Sequence, residues 1–283
     1  MDVLSFIVSM SVYMLFLFLF LEYAREKQKF YVWFFIVALL SVPLWFINLE
    51  GFFRWAKTIS VLIPICFVSF VRLANDGRHN KTLSILRSRW PLWFFYGIVA
   101  LNILEATYTD FQMGNIFNAL CGIILIITMP MPTKKRWYMA VHDGKHNFAE
   151  LIAELPIAWC LLYVTWNACF VYAENPMYFA SSLCILLIIQ VWMLVKKRSD
   201  LWLMGRIYTL AIHILIRASY DIFTPVMDSS SWFNSEVLYF WGVINLVLHG
   251  GFLVFWFFNL RNKDYTLKYS AKDYGFKEVL VNG

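Results

Sequence analysis

The sequence predicts an all-α, polytopic transmembrane helix bundle of about nine spans, with the N-terminus outside and the C-terminus inside. Three observations predict it. First, 61% of the 283 residues are hydrophobic and only 15% are charged, with a mean hydropathy of +0.63. A soluble domain has about 45–50% apolar and about 25% charged residues. A larger core cannot absorb the excess, because surface-to-volume scaling still demands a polar exterior. Second, the apolar residues come in blocks long enough to cross a hydrocarbon layer of about 30 Å. Third, the basic residues fall almost entirely on one side of the resulting topology.

The first block runs 19 residues, from Val3 to Leu21. The acidic Asp2 precedes it and the positive charges follow it, whereas a signal peptide has a basic leading region and a small-residue cleavage site. It reads as a retained span. Further spans fall at 30–49, 53–72, 90–109, 114–129, 151–173, 177–195, 201–225 and 235–260. The third opens with Phe52, Phe53, Arg54, Trp55 and Lys57, which also suit an interfacial position; without it the count is eight. The 13 Trp, 15 Tyr and 27 Phe suit interfacial belts and helix packing. No stretch between spans is long enough for a soluble domain, so the organisation is a bundle over 1–262 and a cytoplasmic tail over 263–283.

Orientation follows from the basic residues. The 1–2, 3–4, 5–6 and 7–8 loops and the tail together carry twenty Lys and Arg, and the opposite loops carry only Arg54 and Lys57. Basic loops face the cytoplasm, which favours nine spans over eight. The net charge of +6 then follows from topology and from anionic lipid at the cytoplasmic face, and nucleic acid is not an expected partner. The tail and TKKRWYMAVHDGKHNF are the places where an acidic partner would dock. Self-association is left open. Cys66, Cys121, Cys160, Cys169 and Cys184 all lie in apolar stretches without a CxxC and read as small buried hydrophobes.

Ionisable residues within a membrane are costly and face a cavity or one another. Span four ends ALNILEATYTDF, placing Asn102 and Glu105 on one face, with Asp110 at its outer end. Span five carries Asn115 and Asn118, span six Trp166 and Asn167. Span eight reads WLMGRIYTLAIHILIRASYDIF, which spaces His213, Arg217 and Asp221 at i, i+4, i+8. Tyr220 is close by, and Arg206 lies seven before His213 on nearly the same stripe. Span nine adds Asn245 and His249. The expected site is therefore Asn102, Glu105, Asn118, Trp166, Asn167, His213, Arg217, Tyr220, Asp221, Asn245 and His249, gathered in the outer half around one cavity open to the outside. Arg217 is expected to pair with Asp221 or with Glu105. The bland alternative is packing: interhelical polar contacts contribute about 0.6 kcal/mol each, and for Asn115 and Asn118 taken alone it is preferred.

Weaker signals complete the reading. HDGKH holds His142 and His146 four apart, but Gly144 interrupts any helix and no third ligand is convincing, so a solvated loop is expected and no metal or cofactor is implied. Paired haem ligation by His213 and His249 has no other support. Glu150 and Glu154, before Pro156, suit an inner gate or a helix N-terminus favouring acidic residues. ATYTDF in span four and ASYDIF in span eight form a short match that suggests a parallel repeat. GxGxxG, P-loop, HExxH and GxSxG motifs are absent.

NILEATYTDFQ, NIFNALCGIILIIT and YVTWNACFVY resemble an uncharacterised family of bacterial multi-pass membrane proteins, a domain of unknown function. The resemblance covers roughly half of the chain and rests on Asn102, Glu105, Asp110, Phe111, Gln112, Asn115, Asn118, Gly122, Trp166 and Asn167. The family pattern has an acidic residue near Val164, which this chain lacks. The resemblance implies a bacterial inner (plasma) membrane location and no activity.

The leading functional expectation is a transporter or channel for a small polar or charged solute. Arg217 would bind an anionic group, Glu105 and Asp221 would set charge selectivity or carry protons, His213 or His249 would relay protons, and Trp166 would stack on or gate the solute. The rivals are an intramembrane enzyme acting on a lipid or lipid-linked substrate, with Glu105 and a histidine as acid and base, and a sensor or structural subunit docking a cytoplasmic partner.

Overall fold

The computed structural model describes residues 3–27, 29–76, 81–133, 136–142, 148–261 and 271–279. In chain order the long helices are α1 (Val3–Glu26), α2 (Phe30–Asn48), α3 (Gly51–Ala74), α4 (Trp90–Gln112), α5 (Ile116–Thr128), α6 (Ile157–Glu174), α7 (Phe179–Lys196) and α8 (Trp202–Ser219). A one-turn α9 (Thr224–Met227) and α10 (Ser235–Phe255) follow. Strands β1 (Trp137–His142), β2 (Ala149–Ala153) and β3 (Phe276–Glu278) complete the set.

Seven of the described helices are long and apolar enough to cross a membrane: α1, α2, α3, α6, α7, α8 and α10. The chain is a multi-pass helical membrane protein. α4 has 23 residues but carries Asn102, Glu105 and Asp110. α5 is apolar but has only 13 residues, about 20 Å of helix.

The two leading helices show how lipid shapes the sequence. On α1 the buried residues are Phe6, Tyr13, Leu17, Leu21 and Ala24, one narrow stripe. The rest of the helix exposes Val3, Leu4, Ile7, Val8, Val12 and Leu15, which in water would be an aggregation face and in lipid is the favoured one. α2 repeats the pattern with Phe30, Phe34, Ala38, Ser41 and Trp45. α8 is the opposite case. Most of its residues are buried, and α1, α2, α3 and α7 pack around it.

Consecutive helices alternate in direction, so the bundle has two ends. One carries a three-stranded antiparallel sheet of order β2-β1-β3; the other is called here the far end. The sheet was not expected from sequence. It also corrects the sixth span, whose first residues, 151–153, are strand, while α6 starts only at Ile157. Pro156 caps α6 at that boundary, a place where proline's missing N–H breaks no helical bond. Phe276–Glu278, within the expected tail, pairs with Ala140–His142.

Buried charges pin the sheet to the helices. Glu150 is fully buried and takes Arg25 Nε at 2.5 Å and Arg198 Nη2 at 2.8 Å. Arg198 Nε also holds Asp200 at 2.7 Å. Arg72 donates to the Ala149 carbonyl at 2.6 Å, the Ala24 carbonyl at 2.8 Å, the Tyr208 hydroxyl at 2.6 Å and the Arg25 carbonyl. Phe276 of β3 stacks beneath Arg198 at 4.9 Å. Glu150 and Glu154 are thus strand and strand-end residues, not an acidic pair on a helix. Tyr138 donates to Glu154 at 3.2 Å, but burial dominates there and pushes the Glu154 carboxyl above its usual range.

The eighth span also ends early. α8 stops at Ser219, whose carbonyl accepts from Asn48 at 2.7 Å, and Tyr220 is extended (φ −162°, ψ 131°). Asp221 therefore sits beyond the helix, and the i, i+4, i+8 stripe ends at Arg217.

Candidate functional site

A cavity of about 630 Å³ opens among α3, α4, α6, α7 and α8. Asn48, Leu49, Glu174 and Asn175 line its far end, taken below as its mouth. Its floor is Trp202, Leu203 and Arg206 near the start of α8. One face of α8 forms the long wall: Leu203, Arg206, Ile207, Leu210, His213, Ile214 and Arg217 recur at three- and four-residue spacing, one helical stripe. α4 contributes Asn102 and Glu105 from the facing side, and α6 contributes Tyr163, Asn167 and Glu174. Pro64 of α3 lines the cavity beside Ser60, and its missing N–H frees the carbonyl four residues earlier from helical bonding.

The charges in this wall are unequal. Arg54, Lys57, Arg206 and Arg217 stand against Glu105 and Glu174, an excess of two positive charges with His213 neutral. Lys57 serves both carboxylates, at 3.2 Å from Glu105 and 3.8 Å from Glu174. Arg217 has no carboxylate within ion-pair distance among the described residues; its guanidinium lies 3.8 Å from the Tyr178 ring centroid. Arg206 lies against Tyr163, Nε to hydroxyl at 3.4 Å, and its Nη1 has no partner. His213 is buried, with Nδ1 2.9 Å from the Tyr13 hydroxyl and Nε2 unpartnered.

Five of the eleven expected residues line this cavity: Asn102, Glu105, Asn167, His213 and Arg217. The other six do not. Neither expected partner of Arg217 is used, because Lys57 takes Glu105 and Asp221 caps the turn into α9. Asp221 accepts from the Phe223 and Thr224 backbone N–H groups, the Thr224 hydroxyl and the Tyr178 hydroxyl. Tyr220 projects outward, 68% exposed. The match of ATYTDF with ASYDIF has no structural counterpart, since Asp110 is helical and buried and Asp221 is neither.

Asn118, Asn245, Trp166 and His249 belong to a second, closed network that joins α4, α5, α6 and α10. Asp110 accepts from Asn115 at 2.8 Å and from Asn118 at 2.7 Å. Asn245 donates to Asn118 at 3.0 Å, Thr165 donates to Asn245 at 2.8 Å, and Trp241 donates to Thr165 at 3.0 Å. Each donor points toward the next acceptor, and the chain ends on the Asp110 carboxylate. The arrangement gives a buried acid hydrogen-bond donors and fastens the short α5 in place. His249 Nδ1 lies 2.7 Å from the Asn245 carbonyl of its own helix. Trp166 is fully buried against Tyr163, ring centroids 5.5 Å apart. It fills this packing and cannot stack on a solute in the cavity.

Sequence reasoning missed Arg54, Lys57, Glu174, Tyr163 and Tyr178. Arg54 and Lys57 had a usable signal: with Thr58 they make an i, i+3, i+4 polar face at the start of an apolar helix. In the 5–6 loop, His142 belongs to β1 and stacks on Phe148, centroids 5.3 Å apart. Residues 143–146 of HDGKH, His146 included, lie outside the described residues, as do 263–270 and 280–283 of the tail. No known protein family, curated protein or solved structure matches the chain.

Proposed function

We propose that the chain is a transporter or channel for a small charged solute, anionic at the group that Arg217 binds. The observation that carries this reading is the cavity itself, a space of mixed apolar and charged lining inside an apolar bundle, with two more positive than negative side chains in its wall. An unpaired guanidinium at membrane depth costs several kcal/mol, and an anionic solute offsets that cost whenever it occupies the site. Glu105 and Glu174, held by Lys57 near the mouth, tune the selectivity for charge. In this reading the bundle makes nine crossings, with α4 and α5 as the two polar or short ones. The sheet end, where Arg25, Arg72, Arg136, Lys196, Lys197 and Arg198 gather, faces the cytoplasm and its anionic lipid. The cavity then opens to the outside of a plasma membrane.

An intramembrane enzyme is the weaker reading. Its acid and base would be Glu105 with His213 or His249, yet Glu105 is paired to Lys57 near the mouth and His249 lies in the closed network. Reconstitution tests the proposal. Proteoliposomes containing the chain should take up small anions such as acetate, glutamate or phosphate at rates well above protein-free vesicles. Uptake of none of a panel of small anions, cations and neutral polar solutes would reject it.

A further inference from the structure

The geometry points to a second oxyanion station at Arg206, at the floor of the cavity and separate from Arg217 at its mouth. The inference rests on the reading of the cavity as a solute path and names the chemistry of what travels in it: a small solute bearing a carboxylate or phosphate group. Arg206 and Arg217 are eleven residues apart on one face of α8, about 16 Å along the helix axis. One small anion therefore meets them in turn.

Two buried polar groups mark the inner station. Arg206 is 8% exposed, its Nη1 lacks a partner, and its nearest contact is the neutral Tyr163 hydroxyl at 3.4 Å. A ring contact offsets only part of the cost of burying a guanidinium. His213, two turns farther along the same stripe, is 1% exposed with a free Nε2. His213 lines the cavity between the two arginines, with its Nδ1 2.9 Å from the Tyr13 hydroxyl. Asn102 and Asn167 add neutral hydrogen-bonding groups to the wall. Among the described residues no carboxylate lies within ion-pair distance of Arg206: Lys57 holds Glu105 and Glu174, and Asp200 Oδ1 is bonded to Arg198 Nε. The wall thus presents fixed donors without an acceptor, which is the complement of an oxyanion.

Binding to the purified full chain in detergent tests this independently of transport. Melting temperature is titrated with sodium phosphate, sodium acetate and dioctanoyl phosphatidylglycerol, with sodium chloride of equal ionic strength as the baseline. At least one of them should raise it saturably in the unmodified chain, and which one does so tells a free oxyanion from a lipid headgroup. Arg206→Gln should raise the half-saturating concentration about tenfold or more, the loss expected for a charge-assisted contact. Arg206→Lys, which keeps the charge but cannot bind two oxygens side by side, should lie between and supplies the comparison if the Gln variant does not fold. Arg217→Gln should retain a saturable response, and the double Gln variant none. An Arg206→Gln response equal to that of the unmodified chain, or no response to any of the three ligands, would overturn the station. Anion binding that depends on Arg206 in a chain that moves no solute would keep the station and reject the transporter.

Discussion

Arg217→Gln is expected to lower anion flux in proteoliposomes at least tenfold while leaving the fold intact. The expectation comes from what Arg217 touches. Its one close partner is the face of Tyr178, and among the described residues it holds no carboxylate together with another helix. Removing the charge breaks no ion pair and relieves a burial cost, so the variant should melt at the same temperature as the parent chain or higher. The solute, in contrast, loses a charge-assisted contact worth about 1.5–3 kcal/mol, roughly tenfold to a hundredfold in occupancy. Arg217→Lys should recover part of the flux, since it restores the charge without the planar fork. Unchanged flux in Arg217→Gln would remove Arg217 from the solute path.

The opposite pattern is expected at the sheet end. Glu150→Gln should destabilise the chain by about 3–5 kcal/mol, the range for breaking a buried ion pair from one side. Glu150 is the shared acceptor of Arg25 and Arg198, and both it and Arg198 are almost wholly inaccessible. A neutral amide leaves Arg198 with Asp200 alone and turns two N–H donors toward a guanidinium. Because Arg25 lies in the last turn of α1, Arg198 follows α7 and Glu150 lies on β2, the loss spreads over three separated segments. Reversible unfolding in mixed micelles measures it, with the exposed Lys29→Gln as the control that should change little. A Glu150→Gln chain as stable as its parent would mean that water reaches this network and screens it.

Local pattern made much of this molecule legible. The spans of α1, α2, α7 and α10 follow from long, mostly apolar blocks, and the stripe of Arg206, His213 and Arg217 follows from helical spacing. Errors came where a long-range partner decided the outcome. Asp221 looked like the next residue of the α8 stripe, but Asn48 of α2 takes the Ser219 carbonyl and the helix stops short. Asn118 and Asn245 looked like cavity residues by depth; depth does not say which way a side chain turns, and theirs turn to each other. Lys57 looked like a surface charge because it starts its helix, although α4 and α6 bring Glu105 and Glu174 to it. The strands were hidden because Leu151–Ala153 is as apolar as the helix after it, and only Pro156 signalled the break.

In the proposed transporter, side chains from separate helices line one cavity that the solute enters from the far end. Side-specific thiol labelling tests it most directly, because the five natural cysteines are free and four are buried. In a Cys66→Ala background, Asn167→Cys should react with a small anionic, membrane-impermeant methanethiosulfonate reagent added outside intact cells, and phosphate or acetate should slow the reaction if either is the solute. The same reagent added from the cytoplasmic side of inverted vesicles should not react. Labelling from the cytoplasmic side, or from neither side, would contradict the account.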